Sequence, residues 1–245
     1  MNLLINITSI ILVLILLIIA FRYFETYWTF KLYKPYQWEE AVNNKLISDN
    51  LKSLERNYYD KIRFYNFWFQ IERLKREKID GDFAELGVYK GETANFIHEM
   101  DTSRKIHLLD TFEGFHEIDL QHENKQEGKY SPYEFSDTSL EAVKKYINGN
   151  DSVFYYPGYF PESASTLKDK TFSLVHLDAD LYLPTIEGLK FFYPRLVPGG
   201  AIIVHDYNHN WGGIKKALNE FLPAIPETLI ELADWKGSAM IIKNK

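Results

Sequence analysis

Two short runs hold the residues best suited to chemistry: His176-Leu177-Asp178-Ala179-Asp180-Leu181-Tyr182 and His205-Asp206-Tyr207. Each closes an apolar stretch, residues 172–178 and 201–205, that reads as a strand buried on both faces. Neighbouring parallel strands would bring Asp178, His205 and Asp206 to one rim. Two carboxylates and an imidazole suit Mg2+ or Mn2+, with water or substrate oxygens completing the shell. Loop carboxylates that cap helices and face water would look the same at this level. His176 lies two residues before Asp178 and shares its face, the usual place of a satisfied core histidine.

A second pattern is Glu85-Leu86-Gly87-Val88-Tyr89-Lys90-Gly91, between a strand over 82–86 and a helix over 91–100. Its two glycines let backbone pass close to a ligand, although any strand-to-helix turn has use for them. The spacing is not the G-x-G-x-x-G of a dinucleotide turn, which argues against a nicotinamide oxidoreductase. Glu85 could compensate a cationic ligand. Asp110 ends a strand over 106–110, where an acid can bind ribose hydroxyls or serve the turn itself.

These residues need a sheet to align them, and the chain supplies one. Further strands are read at 152–156, 228–232 and 239–243, and helices at 140–147, 184–194 and 213–222. Such alternation predicts a doubly wound α/β sheet with ligands at the carboxyl ends of its strands. Residues 36–79 read as helical, with Leu46, Leu51, Leu54, Tyr58, Ile62, Tyr65, Phe69 and Leu74 at repeated apolar positions. The polar insert from 113 to 138 reads as a lid over the strand ends.

Composition narrows the function. Zero cysteines exclude a disulfide framework, a Cys-ligated zinc and a thiol nucleophile. A net charge of −6 argues against a nucleic-acid binder. Residues 3–21 carry no charge, and as a helix they would reach roughly 28 Å, close to a hydrocarbon core. Tyr23, Tyr27 and Trp28 follow as interfacial aromatics. A cleaved signal peptide would want a basic leader and a small-x-small site, and a core helix would be less uniformly aliphatic. The reading is a single-pass membrane anchor over 1–22, a helical juxtamembrane segment over 23–79 and a catalytic domain over 80–245. Arg22, Lys31 and Lys34 after the span place that domain in the cytoplasm.

Several ordered blocks resemble the macrocin O-methyltransferase (TylF/MycF) family. They are the run from Gly81 to Gly91, Leu109-Asp110-Thr111-Phe112-Glu113-Gly114-Phe115, Pro157-Gly158-Tyr159-Phe160-Pro161, Leu177 to Thr185, and Tyr193 to Gly200 continuing to His205-Asp206-Tyr207. The resemblance covers roughly residues 80–243. It implies a class I S-adenosylmethionine-dependent methyltransferase fold, Rossmann-like, with seven strands and the last antiparallel. It also implies a metal-dependent enzyme that methylates sugar hydroxyls, taking a sugar-containing small molecule or a lipid-linked glycan. On that basis Glu85, Gly87, Tyr89 and Gly91 would meet the methionine part of the cofactor. Asp110 would hold its ribose, Phe112 would lie near the adenosine, and Gly158 and Phe160 would lie on the adenine side. Asp178, His205 and Asp206 are the metal candidates. Asp178 would also act as general base, and His122, or else His116, would be the insert histidine facing the substrate. A non-sugar acceptor methylated without metal and a non-catalytic cofactor-binding module are the alternatives. A homo-oligomer is neither required nor excluded by the residues.

Overall fold

A computed structural model describes residues 2–28, 34–123, 130–209 and 212–244. The chain divides into two compact units, residues 1–48 and 49–245. In the first, helix α1 (Asn2–Trp28) contains the apolar stretch Ile5–Glu25, with mean hydropathy 2.6 and none of it buried. At about 1.5 Å per residue this stretch is long and apolar enough to cross a bilayer. Thr8, a polar residue within it, donates its hydroxyl to the Ile5 carbonyl at 2.9 Å and so leaves no hydroxyl proton unsatisfied. A short helix, α2 (Tyr36–Asn43), completes the described elements of this unit. Lys31 of the flanking charge pattern lies outside the described residues.

The second unit holds the sheet, and helices α3 (Asp49–Asn57) and α4 (Lys61–Glu77) belong to it. The helical segment read as separate up to residue 79 is thus partly built into the sheet-bearing unit. The sheet comprises β1 (Asp82–Leu86), β2 (Ile106–Asp110), β3 (Val153–Pro157), β4 (Phe172–Leu177), β5 (Leu196–Val204), β6 (Ile230–Glu231) and β7 (Ala239–Ile242). Their spatial order is β3-β2-β1-β4-β5-β7-β6, and β7 runs antiparallel to both its neighbours. Strand order reverses between β1 and β4, so a crevice opens at their carboxyl ends.

Helices cover the sheet for reasons visible in their residues. On α4, Phe64, Phe67, Trp68, Ile71 and Leu74 recur at helical spacing and are all buried. Asp60 caps the helix by accepting from the Arg63 amide at 3.0 Å. Ile62, one of the repeated apolar positions, is 52% exposed, because the buried face of the helix is the one that carries Phe64 and Phe67. The other helices are α5 (Glu92–Met100), α6 (Glu117–Leu120), α7 (Leu140–Ile147), α8 (Tyr182–Phe192) and α9 (Gly212–Phe221). β5 begins five residues earlier than expected. Leu196 pairs with Phe172, and an irregular register absorbs Pro198 and Gly199 before Ala201 pairs with Leu174.

Candidate active site

Backbone hydrogen bonds continue one residue past the strands and align the rim. The Asp178 amide donates to the Leu86 carbonyl at 2.8 Å, and the His205 amide to the Leu177 carbonyl at 2.9 Å. Gly87, Asp178 and His205 are thereby brought side by side. A Cβ at Gly87, where φ is +87°, would sit 2.1 Å from the Asp178 carbonyl oxygen, so this glycine permits the two strand ends to meet. Tyr89, Phe112, Asp180 and Asp206 all adopt positive φ, between 51° and 59°. Four non-glycine residues in that region crowd the strand-end turns, where strain is characteristic of functional sites.

A cavity of about 320 Å³ opens at this rim, the size of a small-molecule site. Of the expected cofactor residues, Glu85, Gly87, Tyr89, Asp110, Gly158 and Phe160 line it. Gly91 and Phe112 do not. Gly91 caps α5 at φ +82°, and a Cβ there would press on Val143 and Ile147, so its smallness serves helix packing. Phe112 is buried, and its amide donates to Asp110 Oδ1 at 2.6 Å. Asp110 Oδ2 accepts from the Val88 and Tyr89 amides at 2.6 and 2.8 Å. The Thr111 hydroxyl also lies 3.5 Å from Oδ1, so Asp110 holds the turn together through both of its oxygens.

Asp178 and His205 also line the cavity, while Asp206 lies behind them, 1% exposed. One ligand atom from each of the three falls within 4.8 Å of the others. His205 Nδ1 donates to Asp178 Oδ1 at 2.8 Å. It also lies 3.0 Å from Asp206 Oδ1, a buried oxygen whose contacts fall outside hydrogen-bond geometry, while the Asp206 carboxylate is hydrogen-bonded to Asp180. Lys236 Nζ is 3.4 Å from Asp206 Oδ2. Burial raises the Asp178 carboxyl, but the His205 and Arg63 charges outweigh it and hold the group well below the ordinary carboxylate range. Asp180 moves the other way: burial, then the Asp178 and Asp206 charges, push it well up. Ionised Asp178 beside an unsatisfied buried oxygen is a donor set that a hard divalent cation fits.

Arg63, on α4, is the residue the sequence reading missed. Its Nη2 donates to Asp178 Oδ2 at 2.6 Å and to His176 Nε2 at 2.9 Å. Arginine has no acceptor, so Nε2 must accept and the proton lies on Nδ1, which donates to Glu85 Oε1 at 2.8 Å. Burial and the Arg63 charge hold His176 well below its ordinary value, consistent with this neutral form. Glu85 is pushed well up, first by burial and then by Asp178, and its Oε2 is buried without a partner. With Oε1 accepting from His176, the proton that burial keeps on Glu85 sits on Oε2; a cationic group such as the amino group of a cofactor would favour its loss and meet a carboxylate there. The detectable signal for Arg63 was a cation set directly beside the first residues of the apolar stripe of α4.

The described flanks of the insert cover the cavity. Phe115 packs on Phe135 at 5.2 Å and Phe135 on Tyr89 at 5.1 Å. Tyr89 Oη and Lys90 Nζ each donate to Asp137 at 2.6 Å. His116, at the N-cap of α6, lines the cavity and packs on Tyr159 at 4.4 Å. His122 is exposed, in the turn after α6, and is not part of the lining. Neighbouring Glu123 instead accepts from the Tyr182 amide at 2.5 Å and fastens the insert to α8. Insert residues 124–129 lie outside the described residues.

Comparison with known proteins supplies the chemistry's class. Residues 57–225 match the model of the macrocin-O-methyltransferase (TylF) family. An 8-demethyl-8-(2,3-dimethoxy-α-L-rhamnosyl)-tetracenomycin-C 4'-O-methyltransferase from Streptomyces olivaceus is 26% identical over 183 residues, covering 70% of each chain. A mycinamicin III 3''-O-methyltransferase from Micromonospora griseorubida is 26% identical over 159 residues, covering 59% of this chain and 62% of its own. The solved O-methyltransferase NovP shares the fold, with a TM-score of 0.65 at 22% identity over 76% of this chain and 81% of that one. The chain belongs to the macrocin-O-methyltransferase (TylF) family and is an S-adenosylmethionine-dependent O-methyltransferase.

Proposed function

We propose that the enzyme methylates a hydroxyl of a sugar-bearing acceptor, with Mg2+ or Mn2+ held by Asp178 and Asp206. The observation that carries this reading is the unsatisfied, buried Asp206 oxygen facing the His205–Asp178 pair. The Streptomyces olivaceus relative supports the acceptor class, since it is named for a rhamnosyl-bearing tetracenomycin. When bound, S-adenosylmethionine supplies an electrophilic methyl group and the divalent cation makes a nearby alcohol more acidic.

The chain's own residues perform the rest. Glu85 and Asp110 hold the methionine and ribose parts of the methyl donor, and Gly158, where an added Cβ would meet little, leaves room on the adenine side. Asp178 is ionised throughout the neutral range and takes the hydroxyl proton. Its low proton affinity is why an ordinary alcohol would need acidifying first. Of the two insert histidines, His116 is assigned to the acceptor, because it lines the cavity and His122 does not. Tyr89, Phe115 and Phe135 form an apolar cover that excludes water from the reacting groups. His205 orients Asp178 through Nδ1, and a ligand role for that same nitrogen would require it to give up the hydrogen bond.

Helix α1 extends the proposal to location: it anchors the enzyme in a membrane, with the catalytic unit on the cytoplasmic side. Lipid-linked glycans then join free glycosides as acceptors. The test is incubation of detergent-solubilised enzyme with labelled methyl donor, sugar-bearing acceptors and a membrane extract, with and without EDTA. Label in a sugar, lost with EDTA and restored by Mg2+, is expected. Label confined to non-sugar acceptors, or unaffected by EDTA, would contradict the reading.

A further inference from the structure

We infer that Arg63 sets which divalent cation the site prefers, by leaving Asp178 only one oxygen to offer. The inference rests on the metal-assisted reading above and goes beyond it. Both hydrogens of Arg63 Nη2 are committed, one to Asp178 Oδ2 at 2.6 Å and one to His176 Nε2 at 2.9 Å. His176 is itself fixed by Glu85 Oε1 at 2.8 Å, and Arg63 is only 4% exposed. Withdrawing Oδ2 would strand a buried guanidinium, so that bond is not readily given up.

The other oxygen is differently placed. Oδ1 is met by His205 Nδ1, on the side where Asp206 Oδ1 lies unsatisfied. His205 is bound to Asp178 through this one contact, whereas Arg63 ties Oδ2 to His176 as well, so a cation can replace the His205 partner without stranding the guanidinium. A cation entering beside Asp206 therefore meets Asp178 through Oδ1 alone. Single-oxygen ligation suits Mg2+ and Mn2+, small ions of octahedral habit that keep several waters. Ca2+ takes six to eight oxygens and commonly draws both from one carboxylate, so it loses a donor here.

The test is titration calorimetry of MnCl2 and CaCl2 into the full-length protein in detergent, as wild type and as Arg63→Met and Arg63→Lys. Binding of S-adenosylhomocysteine and thermal unfolding serve as fold controls. Wild type should prefer Mn2+. Arg63→Met should narrow the ratio of Ca2+ to Mn2+ dissociation constants by about tenfold, the scale of a partner that orients a metal ligand. Arg63→Lys, which keeps a charged donor, should stay near the wild-type ratio. If Arg63 acted through charge alone, Arg63→Met would tighten both ions together; an unchanged ratio overturns the inference and leaves the metal reading intact. Wild type that binds neither ion overturns both. Should Arg63→Met not fold, a crystal of Mn2+-loaded wild type decides. Arg63 still on Oδ2 with Oδ1 toward the ion supports the inference, and both oxygens on the ion overturn it.

Discussion

Gly87 is where the fold and the chemistry meet most tightly. Its α-hydrogen faces the Asp178 backbone, and a Cβ would stand 2.1 Å from the Asp178 carbonyl oxygen and 2.6 Å from its carbon. Real Cβ contacts are essentially never under 3.0 Å, so Gly87→Ala must drive the two strand ends apart by about 0.9 Å. The φ of +87° adds strain of roughly 1–3 kcal/mol for any residue with a Cβ. The displaced backbone carries Asp178, and a misplacement near 1 Å can lower a positioned reaction about 100-fold. The expected result is a kcat about 100-fold down, with a Tm loss of several degrees and binding of S-adenosylhomocysteine weakened. Steady-state methyl transfer, calorimetry and thermal unfolding of one preparation measure all three. A Gly87→Ala enzyme with wild-type kcat would refute the claim that this contact places Asp178.

Further outcomes follow from the same geometry. Asp178→Asn should abolish turnover while changing S-adenosylhomocysteine affinity by less than about threefold, since it removes charge and not volume from the acceptor side; isothermal titration checks the second half. Glu85 has its folded pKa raised, so the native state holds a proton that the unfolded chain gives up as pH passes the ordinary carboxylate range. Its contribution therefore makes stability fall with rising pH from that range upward, and Glu85→Gln should flatten the slope of Tm between pH 5 and pH 8. Asp178 works in the opposite sense: its stabilisation is full above the ordinary carboxylate range and is lost as the medium becomes strongly acidic. Asp137→Ala removes the acceptor shared by Tyr89 and Lys90. It should raise KM for the methyl donor several-fold and leave Tm nearly unchanged, as expected for exposed charges. His116→Ala should lower kcat/KM for the acceptor, and His122→Ala should not, with both read by product formation at subsaturating acceptor.

Much of the sheet was legible because its strands are local patterns. β1, β2 and β4 are short apolar runs bounded by polar residues, and each lies within a residue of its expected limits. β5 was read short because Pro198-Gly199-Gly200 has the composition of a turn, while pairing with β4 accommodates it as an irregular strand. The rim acids were visible at the ends of their strands. Arg63 was not, because its partner lies 115 residues away and only α4's packing brings them together. Glycine chemistry was ambiguous in a similar way. Gly87 and Gly91 look alike in the sequence, yet one admits the Asp178 backbone and the other admits α7. Of the alternatives open in the sequence for Asp110, the turn role is the one visible in the fold, since it binds three backbone amides.

The central claim, a cation gripped between Asp178 and Asp206 beside the methyl donor, is tested most directly by anomalous diffraction from crystals grown with Mn2+ and S-adenosylhomocysteine. The account predicts one strong manganese peak about 2.0–2.2 Å from an oxygen of each acid, with the homocysteine sulfur in the same cavity. Clear density for S-adenosylhomocysteine with no manganese peak at these acids would contradict it.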